Sequence, residues 1–498
     1  MSLSRRQFLA RGAMVSASAS LAGLFATSGP AGAFPIGGYG PLVPDPNGVV
    51  DLPAGFTYKV LATRTAVGPY AATQLGLRSP AENLGLAPGS SDGMASFYDP
   101  ATQRTYIVLN HEISSGGASG VPKTFRGNPV PTWDAGSGPS GGCTTIVCDA
   151  NMDVIEHIPA LSGCIRNCSG GPTPWGTWLT CEEDTSSISG TTRLKNHGYL
   201  FEVDPIHGLT NGVAYNAMGR ANHEAVAIDP SNSTAYITED ASGGLVYKFV
   251  PTDTSQQFGS LGNGGTLYAM KVPGYNDFGA LSTALAIGAS VSGVTWVQAA
   301  NPDVPSLNAS FTPSTVVTRG TKLEGCFFAD GVLWFAQSYS SGSNDGAVFK
   351  YDPTTSTITL VTKIPPGGTT VTLTDGVTTQ NHLLLDPDNL FATPYGGAVW
   401  SQDGGTNQYV VCLSPDGSFF PIAKNPTGGE WAGAHFSPDG TWLFANQQSR
   451  SMTLAITGPW VAAPPAEIPE VPKSVLLPVT GAAVATAGLL MFRGRRMN

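Results

Sequence analysis

Charged residues are scarce, at 12% of 498 residues, while 62 glycines and 39 prolines interrupt the chain. No stretch sustains a long amphipathic period of 3.6 residues, which argues against a helical fold. Histidine is also scarce, with seven in all, so a histidine-rich zinc site is disfavoured. No HExxH or P-loop sequence occurs. GSSDG (89–93) and GPSGG (138–142) fit the GxSxG pattern of serine hydrolases. Neither sits on the strand-to-helix turn that this chemistry requires, so both read as chance in a glycine-rich chain. Cysteine is present in an odd number: Cys143, Cys148, Cys164, Cys168, Cys181, Cys326 and Cys412. At least one cannot pair within the chain, and a metal ligand is a reasonable use for an exported thiol. Others have potential partners, for instance Cys143 with Cys148.

What is present begins with two addresses. Ser4-Arg5-Arg6-Gln7-Phe8-Leu9, the apolar stretch Ala13 to Ala26 and Ala31-Gly32-Ala33 form a twin-arginine signal with a small-residue cleavage site. Such signals imply export of an already folded protein through the twin-arginine translocation machinery. At the other end Leu477-Pro478-Val479-Thr480-Gly481 precedes an apolar run, Ala482 to Phe492, and a basic tail. The run is too short to span a bilayer comfortably. This order resembles the LPxTG sorting signals of Gram-positive cell-wall proteins, cut by a sortase between Thr480 and Gly481 and joined to peptidoglycan. The expected organisation is a signal peptide (1–33), a catalytic domain (34–457), a Pro-rich stalk (458–475) and a sorting signal (476–498). Removing both ends takes away six arginines and no acids, so the formal charge moves from −10 to −16. That balance argues against nucleic acid as a partner and suits cation binding.

Between the ends the chain reads as all-β. YLFEVDP (199–205), LVYKFVP (245–251) and AVFKYDP (347–353) are alternating strands closed by a proline turn. AIDPSNSTAYITED (227–240), LDPDNLFATPYGGAVWSQDG (385–404) and FSPDGTWLFANQQ (436–448) share a turn-then-strand form. Recurrent hairpins of this kind predict a β-propeller, six-bladed, with long inter-blade insertions, notably at about 252–316. A pair of β-sandwiches is the alternative. In a propeller every inner strand points one end at a shared channel, so acids far apart in sequence can converge without a local motif.

Acids do recur at strand ends. Glu112 follows TYIVLNH, Glu182 and Glu183 follow WGTWLTC, Glu224 opens HEAVAID and Glu239-Asp240 closes AYIT. Glu324 lies in KLEGCFF, Asp388 in DPDNL, Asp403 ends AVWSQDG and Glu430 precedes WAGAHF. A carboxylate against an apolar strand is costly unless paired or metal-bound. Oxygen clusters suit calcium, and an added thiolate favours iron or another transition metal. Asp204, Asp352 and Asp439 sit in Asp-Pro or Pro-Asp-Gly contexts and read as turn residues.

NCSGGPTPWGTWLTCEED (167–184), Asn110-His111-Glu112, GRANHEAVAID (219–229), TKLEG (321–325), PDNL (387–390) with QDG (402–404), and EWAGAHFSPDGTWLFANQQ (430–448) carry a wider resemblance. Together they make the chain resemble the PhoX-type alkaline phosphatases, exported bacterial propellers, over nearly all of its mature length. The resemblance implies a phosphomonoesterase with a mixed iron and calcium cluster at the propeller mouth. It makes Cys168, Glu224 and Glu324 iron ligands, with Glu182, Asp388 and Glu430 as further iron or calcium ligands. Glu112, Glu239 and Asp403 complete the candidate metal set from their strand-end positions, and Glu183 is the next choice after Glu182. Where the family commonly has Arg-Pro-Glu, this chain has Lys322-Leu323-Glu324. Lysine holds phosphate as a point charge rather than a planar fork. Lys322 is therefore the expected phosphate contact, Asn167 a weaker one, and Arg319 a stand-in for the missing arginine. The substrate class is a small phosphate monoester, with diesters as an extension. A calcium-dependent lactonase-like hydrolase and a non-catalytic, wall-displayed binding propeller are the competing readings.

Overall fold

In a computed structural model, residues 34–460 are described, except 36–37, 78–84, 118, 211, 339–345, 365–370, 373–378, 381–385, 404–407 and 416–417. The segments expected to be a signal peptide and a sorting signal, and the expected stalk from residue 461 on, lie outside the described residues. Most strands sort into six antiparallel sheets of four or five strands arranged in a ring, a six-bladed β-propeller, and the rest form two-stranded pairs. The first set of proline-turn repeats supplies the third strands of consecutive blades: Leu200–Asp204, Val246–Pro251 and Gly346–Asp352. The second set supplies the second strands of blades 3, 5 and 6: Ala235–Glu239, Ala398–Gln402 and Leu443–Gln447. The turn aspartates behave as turn residues. Asp204 Oδ1 accepts from the N–H groups of Ile206 and His207, Asp352 Oδ1 from Thr354 and Asp439 Oδ1 from Thr441.

The inner strands are Ser91–Asp99, Asn167–Pro172, His223–Ile228, Leu323–Ala329, Pro387–Ala392 and Trp431–Phe436. Each packs against the next, and the sixth packs against the first. Closure of the ring is shared by both ends of the domain, because Met452–Thr457 pairs with Thr57–Thr63 in the sixth sheet. A closed ring leaves no room for the two-sandwich alternative. The expected insertion becomes a clasp between blades 3 and 4. Thr295–Gln298 joins the outer edge of blade 3, and Ser290–Ser292 joins the outer edge of blade 4. Phe278, on the short helix Phe278–Ala284, packs its ring against Phe335 and Phe349 of blade 4.

The two ends of the described fold meet at the far end of the blade 6 inner strand. There Trp460 packs on Phe56 and Phe436, and Phe34 packs on Tyr395 and Phe420. Cysteine pairing is not part of the framework: all seven cysteines are free and buried. Cys143 and Cys148 lie five residues apart on one extended strand, Gly141–Cys148. At about 3.3 Å per residue that separation is far beyond the roughly 7 Å limit for a disulfide.

Close approach of the inner strands depends on glycine at the channel end. A Cβ on Gly325 would lie 2.1 Å from the backbone nitrogen of Leu390 in the next blade, with backbone rather than a movable side chain in the way. Gly325→Ala is expected to lower stability by about 1–3 kcal/mol, read as a lower thermal midpoint. An unchanged midpoint would contradict the described inter-blade packing.

Candidate metal centre

Every inner strand begins with the same irregularity. The register between first and second strand shifts between Ser91 and Met94, Asn167 and Gly170, His223 and Val226, Leu323 and Cys326, Pro387 and Leu390, and Ala432 and His435. A bulge of this kind re-aims a side chain. The residue just after the first paired position is Asp92, Cys168, Glu224, Glu324, Asp388 and Ala432 in blades 1 to 6. Five blades thus deliver an acid or a thiol from one structural position.

A second tier comes from the residue that follows each second strand: Glu112, Glu183, Asp240, Ser338, Asp403 and Gln448. Its N–H donates to the carbonyl of the residue preceding the inner strand in every blade, at 2.9–3.1 Å. Those preceding residues form a third tier: Ser90, Arg166, Asn222, Lys322, Asp386 and Glu430. Four of them, Ser90, Arg166, Lys322 and Asp386, hold left-handed φ values of 44–54°, a conformation that non-glycine residues keep only where the surroundings impose it.

Two ligand groupings result. Cys168, Glu183 and Glu224 offer one atom each within 4.8 Å of one another, and so do Glu224, Glu324 and Asp388. Glu224 belongs to both. Around them Cys168 Sγ lies 3.7 Å from Asp92 Oδ2. Ser338 donates to Glu324 at 2.7 Å, and Asn389 Nδ2 lies 3.3 Å from Glu224 and 3.2 Å from Asp388. On the blade 6 side, Gln448 Nε2 is within 2.8–3.0 Å of oxygens of Asp92, Glu112 and Glu430. Two cations border the cluster. Arg166 bonds Glu112 Oε1 and Glu183 Oε2, and Lys322 Nζ lies 3.5 Å from Glu324 and 3.8 Å from Asp240 and Asp403.

The electrostatics state the same fact as energies. Burial, followed by the charge of neighbouring carboxylates, holds Asp92, Glu224 and Asp388 well above the usual carboxylate range. Glu183 is raised by burial and by its hydrogen bond with Asp240, and Cys168 by burial and Asp92. Glu324 is pushed up to about 8 and Glu430 to about 10. For Lys322 burial works the other way, but Glu324, Asp240 and Asp403 overcome it and raise the ammonium above its ordinary value. Asp92 Oδ1 is buried without a hydrogen-bond partner among the described residues. A thiol, crowded carboxylates and an orphaned buried oxygen are a donor set that fits hard cations together with one thiolate-binding transition metal.

The candidate residues separate cleanly. Cys168, Glu183, Glu224, Glu324 and Asp388 come together, with Glu112, Asp403, Glu430 and Lys322 around them. Glu182 does not join them. Its carboxylate accepts from the N–H groups of Ile165, Gly198 and Tyr199 and meets His197 Nδ1 at 2.6 Å. Glu239 accepts from Tyr247 Oη and the Leu245 N–H inside blade 3, where burial pushes it up to about 7. Both occupy the last paired position of a second strand, and the residue after each, Glu183 or Asp240, belongs to the mouth. Asn167 is buried and donates to Thr180 Oγ1 at 2.9 Å. Arg319 is taken up by carbonyls of Gly243, Asn308 and Phe311. Arg166, Asp240 and Gln448 are the mouth residues that motif reading passes over, together with Asp92, which lies inside the GSSDG dismissed as chance. Their common signal is distance along the strand from the bulge.

A six-bladed propeller with a buried carboxylate and thiol cluster at its mouth defines a class of propeller with a candidate metal site. The family model described as alkaline phosphatase PhoX matches residues 37–156 and 132–450. The chain belongs to the PhoX alkaline phosphatase family and is a phosphatase, a phosphoric ester hydrolase. It is similar in structure to Pseudomonas fluorescens PhoX in complex with vanadate, a transition state analogue, at 17% identity and a TM-score of 0.60, covering 88% of this chain and 100% of that one. The β-propeller domain of Myceliophteria thermophila Cps50 (Swd1) is also similar, at 9% identity and a TM-score of 0.37, covering 78% of this chain and 99% of that one. A search of curated proteins gave no match.

Two tests follow. Glu183→Gln is expected to weaken metal retention at least about tenfold with little change in the melting temperature of the metal-free protein. Glu182→Gln should instead cost about 3 kcal/mol of stability by breaking a buried pair. Elemental analysis beside thermal denaturation distinguishes them, and reversed outcomes would overturn the tier assignment. The second test concerns pH. Glu324 and Glu430 have folded values above their ordinary 4.5, so the folded, metal-free chain binds protons that the unfolded chain has released. Their stabilisation is complete below about pH 4.5 and is lost as pH rises through about 8 and then about 10. Chelated protein is expected to melt lower at about pH 9 than at about pH 6, with added metal restoring more at the higher pH. A pH-independent gap between metal-free and metal-loaded midpoints would contradict this.

Proposed function

We propose that this phosphatase acts outside the cell on phosphate monoesters, with diesters as a secondary substrate class, using iron and calcium held at the propeller mouth. The observation that carries the reading is the delivery of Asp92, Cys168, Glu224, Glu324 and Asp388 to one channel end by five blades. Cys168, Glu183 and Glu224 would hold an iron, and Glu224, Glu324 and Asp388 a second metal. Asp92, Glu112, Glu430 and Gln448 suit calcium, provided that the Gln448 amide turns its oxygen inward. When bound, these metals supply Lewis-acid stabilisation of the phosphoryl oxygens and activation of an oxygen nucleophile.

The chain's own residues do the rest. Lys322, half exposed and flanked by Glu324, Asp240 and Asp403, keeps a positive charge facing the phosphoryl group. Ser338 and Asn389 hold the carboxylates of Glu324, Glu224 and Asp388 in place by hydrogen bonds, which orients ligands before substrate arrives. Glu182, His197 and Asp134 pin the loop beyond Glu183 from behind.

Export through the twin-arginine route would let the protein fold and load metal before leaving the cytoplasm. Sortase attachment would then tether it to the wall through the segment after Trp460. Trp460, the last described residue before that segment, packs on Phe436, at the other end of the blade 6 inner strand from Glu430.

With iron and calcium supplied, the purified protein is expected to hydrolyse p-nitrophenyl phosphate. Cys168→Ala and Glu324→Gln should each reduce turnover by at least about a hundredfold and lower metal content. Turnover at the wild-type level in both variants would sink the site, and stoichiometric calcium without iron would remove the role given to Cys168.

A further inference from the structure

The two cations of the mouth occupy one position of the propeller's repeat. Arg166 precedes the inner strand of blade 2 and Lys322 that of blade 4, with left-handed φ values of 51° and 54°. Each carbonyl accepts from the N–H of the second-tier residue of its own blade, Glu183 or Ser338. Asn222 fills the same position in blade 3, between them. These three consecutive blades also supply Cys168, Glu183, Glu224 and Glu324. A ligand seated on those groups is therefore bordered by a guanidinium on one side and an ammonium on the other.

The guanidinium is fixed before any ligand binds. Arg166 Nε and Nη2 lie 2.9 and 2.8 Å from Glu112 Oε1, and Nη2 lies 2.5 Å from Glu183 Oε2. Among the described residues, Nη1 has only a 3.4 Å contact with the Glu183 carbonyl. The Arg166 side chain is 37% exposed, whereas that of Glu183, which it clamps, is 3% exposed. One face of the fork is thus tied to the ring, and the Nη1 edge keeps donors for a ligand at the open mouth. Arg319, by contrast, spends its fork on backbone carbonyls.

We propose that Arg166 contacts the substrate phosphoryl group through Nη1 and, with Lys322, selects the dianionic group of a monoester over the monoanionic group of a diester. Two fixed positive charges around one phosphoryl group reward the second negative charge that only the monoester carries. The assignment rests on the phosphatase reading above and narrows its substrate class.

The test uses the full chain loaded with iron and calcium, as wild type, Arg166→Ala and Arg166→Lys. KM and kcat are measured for p-nitrophenyl phosphate and bis(p-nitrophenyl) phosphate, inorganic phosphate binding by calorimetry, and metals per chain by elemental analysis. Arg166→Ala is expected to raise the monoester KM and weaken inorganic phosphate binding about tenfold or more, as loss of a charged hydrogen bond does. The diester constants should move less than about threefold, with metal content unchanged and Arg166→Lys intermediate. Unchanged monoester KM and phosphate affinity in Arg166→Ala would overturn the assignment. So would equal losses for both substrates, or metal loss in both variants, which would make Arg166 a buttress for Glu112 and Glu183. A wild type that turns over neither ester would overturn the phosphatase reading and this assignment with it. An active wild type with an indifferent Arg166→Ala would overturn this assignment alone.

Discussion

Repulsion between carboxylates crowded at one end of the channel is the constraint that the rest of this structure answers. Two unit charges 4 Å apart interact by about 4 kcal/mol at an effective dielectric near 20, and here Glu224 alone shares space with Glu183, Glu324 and Asp388. Burial removes the water that would otherwise screen them. The metal-free chain can relieve the repulsion by keeping protons on Glu324, Glu430 and their neighbours, or by leaning on Arg166 and Lys322. Both leave buried acids that are protonated or only partly paired, rather than ionised and bound. Cations of high charge relieve the repulsion with the carboxylates ionised, and the thiol of Cys168 adds a donor of different softness to an otherwise oxygen-lined mouth.

The backbone makes such crowding possible by repetition rather than by a local motif. One bulge per blade, one residue before it that is left-handed in four of the six blades, and one inter-strand hydrogen bond across it set three tiers of side chains around the channel. Where a small residue is required, as at Gly325 or Gly93, the neighbouring inner strand comes too close for a Cβ. Blade 6 departs from the pattern with Ala432 in the inner tier. Glu430 and Gln448, from its other tiers, turn toward Asp92 and Glu112 instead.

Much of this was legible in the sequence. Proline-closed alternation in YLFEVDP, LVYKFVP and AVFKYDP marked third strands of successive blades, and Cys168, Glu224, Glu324 and Asp388 could be chosen from strand-end position and family resemblance. What eluded reading was phase. Successive residues of a strand point to opposite faces, so a slip of one residue exchanges mouth for interior. Glu182 and Glu239 look as promising as Glu183 and Asp240 until the pairing with the inner strand is known. Asp92 hid in a glycine-rich stretch that resembled another enzyme's signature. Arg166 stood directly before NCSGGPTPWGTWLTCEED, yet nothing local distinguishes it from a surface arginine. Its meaning comes from equivalence with Lys322 two blades away, a relation that only the closed ring reveals.

The central claim is that the channel-end carboxylates and Cys168 exist to hold cations. Anomalous diffraction from crystals of the purified protein, collected on both sides of the iron absorption edge, tests it most directly. The account predicts an iron peak bounded by Cys168, Glu183 and Glu224, with further metal density against Glu324 and Asp388. Fully occupied protein with no metal density inside the ring, or with iron bound only elsewhere, would contradict it.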